Sequence, residues 1–522
     1  MAPSQTASHS PKFAMLSRER IRNRLVLWGK IAPGVLLLLS FISFFLLLAI
    51  EISKTGIFTS PVNFFELDFG RVIGDLTSIS GDHYRTKVHP IFVLMFGLFG
   101  SAMKQATGDA GLSAVLLTNF VGAAGVLLSY VVFIMLCHDR LNAFLLACLY
   151  GVTNASIFFS VIPETSSFAS CSLIFTYALF LWSLRERTIR QPLWILAGIL
   201  TLGITITNFA QTFICYLIVC CSIYDFKKNP KKLVDVPIFA GCTLLITGLL
   251  ALLQKAIFPS SNLFFLPSSF AEEHLYASIR IFSDPLPVIG ELLQNFFIIN
   301  ISAPNPVVVA NPNGGYSLIN FSGLLRYAPL GWVSLILWLL LLLAGIYSIF
   351  FTRENQLFYK GVAFCLLFNF LLHCFYGVYD NQIEYFVYAG NFSFLAFCLV
   401  GNLGKLRFFS FRCILIIEIA LLAFTNVTFL TKITGIAGEE SGSLLTSEQN
   451  LSLLRKQAGD IAHLPSSDYF LFGMGPRQKL VYQDGQLIDL QNGSVVKTWQ
   501  LSHETIIRQS IGLNLSPGRV LT

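Results

Sequence analysis

Residues 193–224 read LWILAGILTLGITITNFAQTFICYLIVCCSIY, a run of 32 residues without a charged side chain. An α-helix rises about 1.5 Å per residue and a bilayer crossing needs about 20 residues, so this run is too long for one comfortable crossing. The polar segment TNFAQ in its middle predicts two short spans that meet near one membrane face. The chain then returns at DFKKNPKK, which has four lysines, to the side where the arginine-rich RERTIR precedes the run.

The rest of the chain has the same character. Of its 522 residues, 54% are hydrophobic and only 12% are charged, and the mean hydropathy is +0.68. Soluble domains carry about 25% charged residues. Because apolar runs of span length recur along the chain, we predict an all-α polytopic membrane protein with about 11 transmembrane helices. The net charge of +7 is accounted for by short basic loops between these runs, so no nucleic-acid partner is expected.

The distribution of basic residues predicts the orientation. The arm over residues 1–30 contains several arginines before the first apolar run, which places the N-terminus in the cytoplasm. In this topology all short basic loops fall on that side, whereas IPETSS, TNFAQ and YDNQIE fall on the other. The transmembrane domain then covers residues 31–430, with long outer loops at 51–111 and 258–326.

Within the first outer loop, VHPIFVLMFGLFGSAMK resembles a span but has only 17 residues, with Pro90 in its first turn and Lys104 at its end. We therefore predict a helix that lies in the interface or dips part-way into the membrane.

From residue 431 onward the chain is polar and rich in turns. Asp484-Gly485 and Asn492-Gly493 separate three short apolar stretches, a pattern typical of β-hairpins, and residues 448–463 have a helical pattern. The sequence predicts a small α+β domain over residues 431–522 on the outer face.

Ionisable residues outside the cytoplasmic loops are the candidates for chemistry, because charges near lipid are costly. The segment FFELDFGRVIGDL, residues 64–76, places Asp68, Arg71 and Asp75 on one face of a predicted interfacial helix. Arg85, Lys87 and His89 follow in GDHYRTKVHPIF. The alternative is that all of these are ordinary solvated charges of an interfacial segment.

The order of these pieces resembles the GT-C superfamily of integral-membrane glycosyltransferases, such as bacterial aminoarabinose transferases and protein O-mannosyltransferases. The matching pieces are LDFGR as the acidic motif of the first loop, KVHPIF as the histidine–proline segment, Glu164 as a second acid, and GILTLGITITNFAQ as the paired short spans. His89-Pro90-Ile91 departs from the family's double proline, and Glu164 stands where Asp is commoner. The resemblance covers roughly residues 30–230, and beyond them it extends only to architecture.

The resemblance implies transfer of a sugar, with inversion, from a polyprenyl-phosphate donor to a hydroxyl of a glycan, lipid or protein acceptor on the outer face of a membrane. A phosphate leaves without a proton, so one carboxylate can serve as the base, and Asp68 is the expected base. Glu164, together with His89, would orient the base, the acceptor or a metal ion. The expected substrate-binding residues are Arg71, Arg85, Lys87, His89, Arg280 and Arg326.

A divalent ion, Mg or Mn, is a weaker expectation, with His89 and His274 as candidate ligands. Two alternatives remain open: a transporter or flippase of lipid-linked intermediates, and an inactive GT-C-like assembly subunit. A transporter should carry charges near the bilayer midplane, but most span centres here are apolar, and the main exception, His373, lies near the end of its span. The expected location is a bacterial plasma membrane with membrane lipids around the spans.

Overall fold

The computed structural model describes most of the chain, with gaps. The described residues are 11–55, 63–65, 67–224, 230–270, 273–310, 317–321, 326–379, 382–406, 408–457, 469–474, 478–483, 486–489 and 495–498. Their α-helices, in chain order, are α1 (Pro11–Ser53), α2 (Phe69–Thr77), α3 (Phe92–Thr107), α4 (Ala110–Cys137), α5 (Arg140–Gly151), α6 (Asn154–Val161), α7 (Thr165–Glu186), α8 (Gln191–Ile204), α9 (Asn208–Ile223), α10 (Asp235–Ile257), α11 (Arg280–Ser283), α12 (Pro285–Gln294), α13 (Pro329–Phe351), α14 (Gln356–Phe375), α15 (Tyr385–Gly390), α16 (Phe394–Gly401) and α17 (Phe409–Gln457).

Seven helices in the described part are long and apolar enough to cross a membrane, namely α1, α4, α7, α10, α13, α14 and α17. Helices α5 and α6 meet at a 60° bend and could together form an eighth span. The chain is therefore a mostly helical, multi-pass membrane protein. The larger number of about 11 crossings would require the short helices α8, α9 and α16 to cross as well, and it remains a prediction.

The central 32-residue run forms two helices, as predicted. Helix α8 ends at Ile204 and α9 begins at Asn208, so the break falls at the start of TNFAQ. Backbone bonds fix this break to the first loop, because the Ile91 amide donates to the Gly203 carbonyl (2.9 Å) and the Ile206 amide to the Val88 carbonyl (3.2 Å). The polar backbone at the break is thereby satisfied inside the protein, as it must be in a membrane.

The loops predicted to share the cytoplasmic side meet at one end of the helices. Glu354, between α13 and α14, accepts a hydrogen bond from His138 at the end of α4 (2.8 Å) and lies 3.0 Å from the Lys405 ammonium. Arg412 donates to Asp139 at the start of α5 (3.2 Å). The grouping of these basic loops agrees with the predicted topology, whereas the side of the membrane they face remains a prediction.

At the other end of the helices, α2 and α3 pack on α4 and α7 through a buried apolar core. Its members are Val72, Leu76, Phe92, Val93, Ala114, Phe168, Ala169, Ile204 and Phe258. Glycine allows the close approach of α2 and α3, since a Cβ on Gly100 would lie 2.1 Å from the Leu76 carbonyl oxygen. Helix α3 has 16 residues, about 24 Å, and is not among the candidate spans, which agrees with a segment that does not cross.

The chain divides into two compact units. Unit 1 comprises residues 1–49, 69–302 and 329–426, and unit 2 comprises 50–68, 303–328 and 427–522. Unit 2 contains a small sheet that the sequence did not predict. Its strands are β1 (Asn63–Phe64), β2 (Pro306–Ala310) and β3 (Ser317–Phe321), in the order β1-β3-β2, with β1 parallel and β2 antiparallel to β3.

The C-terminal region of unit 2 holds a four-stranded antiparallel sheet of β6 to β9, numbered after a short hairpin in unit 1 formed by β4 (Val378–Tyr379) and β5 (Gln382–Ile383). The strands are β6 (Tyr469–Met474), β7 (Gln478–Gln483), β8 (Gln486–Asp489) and β9 (Val495–Thr498). Strands β7 to β9 match the three predicted strands, while both predicted turns lie outside the described residues. The predicted helix over 448–463 is present to Gln457, as the end of α17, and its remainder lies outside the described residues. A separate domain over 431–522 remains a prediction.

The predicted N-terminal arm is helical from Pro11 onward and continues without interruption into the first span, as α1. Residues 1–10 lie outside the described residues.

Candidate functional site

The segment between α2 and α3 carries three of the six predicted substrate-binding residues, Arg85, Lys87 and His89, and long-range contacts fix it. Residues Tyr84–Lys87 form one turn of 3₁₀ helix. The Thr86 hydroxyl accepts from the Asn262 amide (2.6 Å), and the Asn262 side chain donates to the Tyr84 carbonyl (3.0 Å). The first and second long loops are therefore joined at the end of the helices where α8 meets α9.

A buried carboxylate joins α2 to this segment. Asp75 accepts from Arg71 one turn earlier (2.5 Å) and lies 2.7 Å from the Nδ1 atom of His83. The side chains of Arg71, Asp75 and His83 are 9%, 3% and 0% exposed, so the ion pair of Arg71 and Asp75 is internal rather than on the surface. The Nε2 atom of His83 is also buried and has no hydrogen-bond partner. Asp75 therefore holds Arg71 and His83 together.

A second cluster centres on Glu273, from the second long loop. Its Oε1 atom accepts from Arg85 (2.8 Å) and lies 3.2 Å from the Lys87 ammonium, and its Oε2 atom accepts from the Tyr376 hydroxyl (3.0 Å). The side chains of Arg85, Lys87 and Glu273 are 12%, 4% and 11% exposed. Two cations from the first loop thus share one carboxylate in a largely desolvated setting.

Tyrosine rings line this cluster. The Arg85 guanidinium lies 4.9 Å from the ring centroid of Tyr276, which stacks on Tyr376 at 5.9 Å. Tyr388 packs against the edge of Tyr376 at 5.6 Å and donates its hydroxyl proton to Glu384 (2.8 Å). Burial raises the pKa of Tyr276 to about 12, so its hydroxyl stays protonated at neutral pH. The cluster therefore combines cations, carboxylates and aromatic faces.

His89 is a neutral hydrogen-bond donor. Its Nδ1 atom donates to the Ile204 carbonyl at the end of α8 (2.7 Å). Burial, with the positive charges of Arg71 and Arg85 acting in the same direction, lowers the pKa of His89 to about 3. His89 therefore connects the histidine–proline segment to the break between the two short helices.

The predicted metal ligands are not brought together into a ligand set. His274 is exposed, and His89 is bonded to a backbone carbonyl. Within the described part of the chain no three of His, Cys, Asp and Glu converge to hold a metal ion.

The two predicted catalytic acids have different surroundings. Glu164 is 4% exposed and caps α7, with its Oε1 atom accepting from the backbone amide (2.8 Å) and the hydroxyl (3.0 Å) of Thr165. Asp68 is exposed, directly precedes α2 in the chain and belongs to unit 2. Its role as the base stays a prediction.

Two of the predicted substrate-binding arginines lie elsewhere. Arg280 donates two hydrogen bonds to Glu291, each of 3.2 Å, within the segment that contains α11 and α12. Arg326 is exposed and lies in unit 2, where its carbonyl accepts from the Asn305 amide (3.0 Å). Arg280 has no described contact with the Glu273 cluster, whereas Arg85 and Lys87 belong to it.

A small cavity of about 20 Å³ lies among α4, α6 and α7, and some of its lining residues are near Glu164 in the sequence. Six of its thirteen lining residues are serines, and the Ser156 hydroxyl is buried without a hydrogen-bond partner. This volume accommodates about one water molecule. The cavity is thus too small for a sugar.

Glu273 and the tyrosines were not selected from the sequence as a site. The available signal was YGVYDNQIEYFVY, residues 376–388, with four tyrosines in a segment free of Lys and Arg. Because Glu273 and Tyr376 lie about 100 positions apart, neither local pattern indicates that the two side chains meet. No protein-family model matches the chain, and neither a curated protein nor a solved structure is detectably similar to it.

Proposed function

We propose that this protein is an integral-membrane glycosyltransferase that moves a sugar from a polyprenyl-phosphate donor to an acceptor hydroxyl. The observation that carries the proposal is the desolvated pair Arg85 and Lys87, which share Glu273 beside the stacked rings of Tyr276 and Tyr376. A lipid-linked sugar phosphate has a matching chemistry, namely an anion next to a sugar ring and an apolar chain.

The cations fit the phosphate part of such a donor. Burying charged side chains is costly, and fixed positive charge stabilises the negative charge that develops on a leaving phosphate. A guanidinium has five N–H donors in a planar fork. The described contacts of Arg85 comprise one hydrogen bond to Glu273 and the face of Tyr276. Arg85 can therefore bind a phosphate oxygen while it keeps Glu273.

The tyrosines and carboxylates fit the sugar part. Tyrosine offers an apolar ring face together with a polar hydroxyl, and the C–H face of a sugar ring can pack on such rings. The carboxylates of Glu273 and Glu384 already accept hydrogen bonds from tyrosine hydroxyls, and sugar hydroxyls are donors of the same kind.

In the proposed reaction the acceptor oxygen forms a bond to the anomeric carbon while the bond from that carbon to the phosphate oxygen breaks. The electron pair of the broken bond leaves on the polyprenyl phosphate, which needs no proton. The acceptor proton passes to a carboxylate base, for which Asp68 is the predicted residue. Asp75 is less suited, since it is committed to Arg71 and His83.

One buried carboxyl, which was not singled out from the sequence, supports the alternative that the protein is a transporter. Glu418 lies within α17, is fully buried, and accepts from the Ser334 hydroxyl of α13 (3.0 Å). A carboxyl inside a span can mark an ion pathway. His373, by contrast, is held by the Tyr376 carbonyl (3.1 Å) and surrounding rings, as expected for a packed histidine.

Glycosyl transfer in reconstituted vesicles separates these functions. Vesicles with a panel of polyprenyl-phosphate sugars and acceptor fractions should show donor consumption by the wild-type protein. Arg85→Ala should abolish it, while the isosteric Glu418→Gln variant should leave it unchanged. Movement of intact donor across the vesicle membrane, lost in Glu418→Gln and unaccompanied by sugar transfer, would favour the transporter. A folded protein without either activity would favour the assembly subunit.

A further inference from the structure

The segment over residues 279–302, predicted from sequence to lie in the second outer loop, descends into the helical bundle. At its start, Phe282 packs on Phe375 at the end of α14 (5.8 Å between ring centroids). Further on, the indole of Trp338, nine residues into α13, donates to the Phe297 carbonyl (2.8 Å). Nine residues correspond to about 14 Å along a helix, so Phe297 lies well below the end of α13.

The end of the segment is held by the interior of two further helical elements. The backbone amide of Asn154, at the bend between α5 and α6, donates to the Ile301 carbonyl (2.9 Å). The buried Asn426 side chain in α17 donates to the same carbonyl (2.8 Å). The path from Phe282 to Ile301 therefore begins level with the end of one candidate span and ends at the interior of two others.

The outward side of this segment carries four large apolar side chains. Ile279 is 78% exposed, Phe282 76%, Leu286 80% and Leu293 45%. Ser283 and Asp284, at the junction of α11 and α12, are exposed as well. Helix α14 exposes a matching stripe that consists of Phe364, Leu367, Leu371 and Phe375, each between 45% and 55% exposed. The contact between Phe282 and Phe375 joins the two sets into one surface.

The continuity of this surface identifies what covers it. In a multi-pass membrane protein, the exposed stripe of a span faces lipid, and the exposed side chains of 279–293 extend that stripe. The apolar helix Pro285–Ile299 has 15 residues, about 22 Å, which is too short to cross but long enough to enter one leaflet. Non-helical backbone at membrane depth must be buried in protein, and the Ile301 carbonyl, just beyond this helix, meets this condition by accepting from Asn154 and Asn426.

We propose that residues 279–302 form a re-entrant membrane segment, with Ile279, Phe282, Leu286 and Leu293 in contact with acyl chains of the leaflet at the end of the bundle that carries the Glu273 cluster. The partly exposed ion pair of Arg280 and Glu291 then lies at the boundary of the hydrocarbon. This proposal is independent of the glycosyltransferase reaction.

Photo-crosslinking in nanodiscs tests the proposal on the full-length protein. The photoreactive residue p-benzoylphenylalanine is placed at position 286, in α12. Position 367, on the lipid-facing stripe of α14, is the positive control. Position 79, an isoleucine that is 50% exposed in the loop after α2, is the matched control outside the segment. The nanodisc lipids carry deuterium in their acyl chains only, and the lipid esters are hydrolysed before mass spectrometry, so that an adduct keeps deuterium only if it is attached to a chain.

The expected result is an acyl-chain adduct at position 286 with a yield within about twofold of position 367, and little or none at position 79. Three results would each overturn the proposal: an adduct to head groups alone, a covalent dimer of the protein at position 286, or no lipid adduct there while position 367 reacts. Since each substituted side chain is exposed, folding is checked simply by elution of the variant as a monodisperse nanodisc.

Discussion

Replacing Asp75 with Asn should destabilise the protein far more than the same change at Asp68. The Asp75 carboxylate is 3% exposed and holds two groups, Arg71 at 2.5 Å and His83 at 2.7 Å. Removing one partner of a buried ion pair leaves an uncompensated charge and costs about 3–5 kcal/mol. The amide oxygen of Asn can still accept one hydrogen bond, so the lower end of that range, about 3 kcal/mol, is expected. Asp68 is exposed, and interactions of exposed charges contribute at most about 1 kcal/mol, so its replacement should cost far less.

The measurement is the apparent melting temperature of each variant in detergent. It is read from the fraction of protein that remains monodisperse after heating. Unfolding of a chain of this size is expected to be irreversible, so all variants are heated at one scan rate. Asp75→Asn should melt clearly below the wild type, while Asp68→Asn should melt with it.

Activity measured on the same samples separates folding from chemistry. If Asp68 is the base, Asp68→Asn should reduce turnover by about 10²–10⁴-fold at unchanged melting temperature. A melting temperature of Asp75→Asn equal to that of the wild type would refute the reasoning about the buried ion pair. Full turnover by Asp68→Asn would refute the assignment of the base.

Two further changes test the packing of α3 and the charged group at the basic end of the helices. Gly100→Ala places a Cβ against the Leu76 carbonyl and should destabilise the protein by about 1–3 kcal/mol. In the control variant Gly74→Ala the new Cβ meets no atom within 4 Å, so this change should be neutral or stabilising. Equal melting temperatures for the two variants would contradict the close approach of α2 and α3. The hydrogen bond from His138 lowers the pKa of Glu354 below 4.5. The ionised Glu354 side chain therefore stabilises the folded protein above that pH, and this stabilisation disappears as the pH falls through the lowered pKa. It amounts to at most about 1 kcal/mol, because the site is exposed. Glu354→Gln should remove this acid dependence from melting curves, and an unchanged dependence would exclude Glu354 as its source.

Several features of the candidate site could be predicted because they depend on neighbours in the sequence. The pairing of Arg71 with Asp75 follows from their spacing of four residues in a helix, and the charged segment before α3 is visible as a local composition. The role of Glu273 could not be predicted in this way, since its partners Arg85 and Tyr376 come from two other loops. Glu418 was overlooked because a single carboxyl scarcely alters the hydropathy of a long span.

The sequence by itself determined the class of the protein, the break within residues 193–224 and the grouping of the basic loops, because the cost of placing charge and unpaired backbone in hydrocarbon acts on each segment separately. Only the tertiary structure decided that Asp75 is held between Arg71 and His83, that Arg85 and Lys87 meet Glu273 among tyrosines, and that residues 279–302 enter the bundle. Those arrangements join side chains and carbonyls from loops far apart in the chain. Their energies depend on long-range packing, which leaves no periodic trace in the sequence.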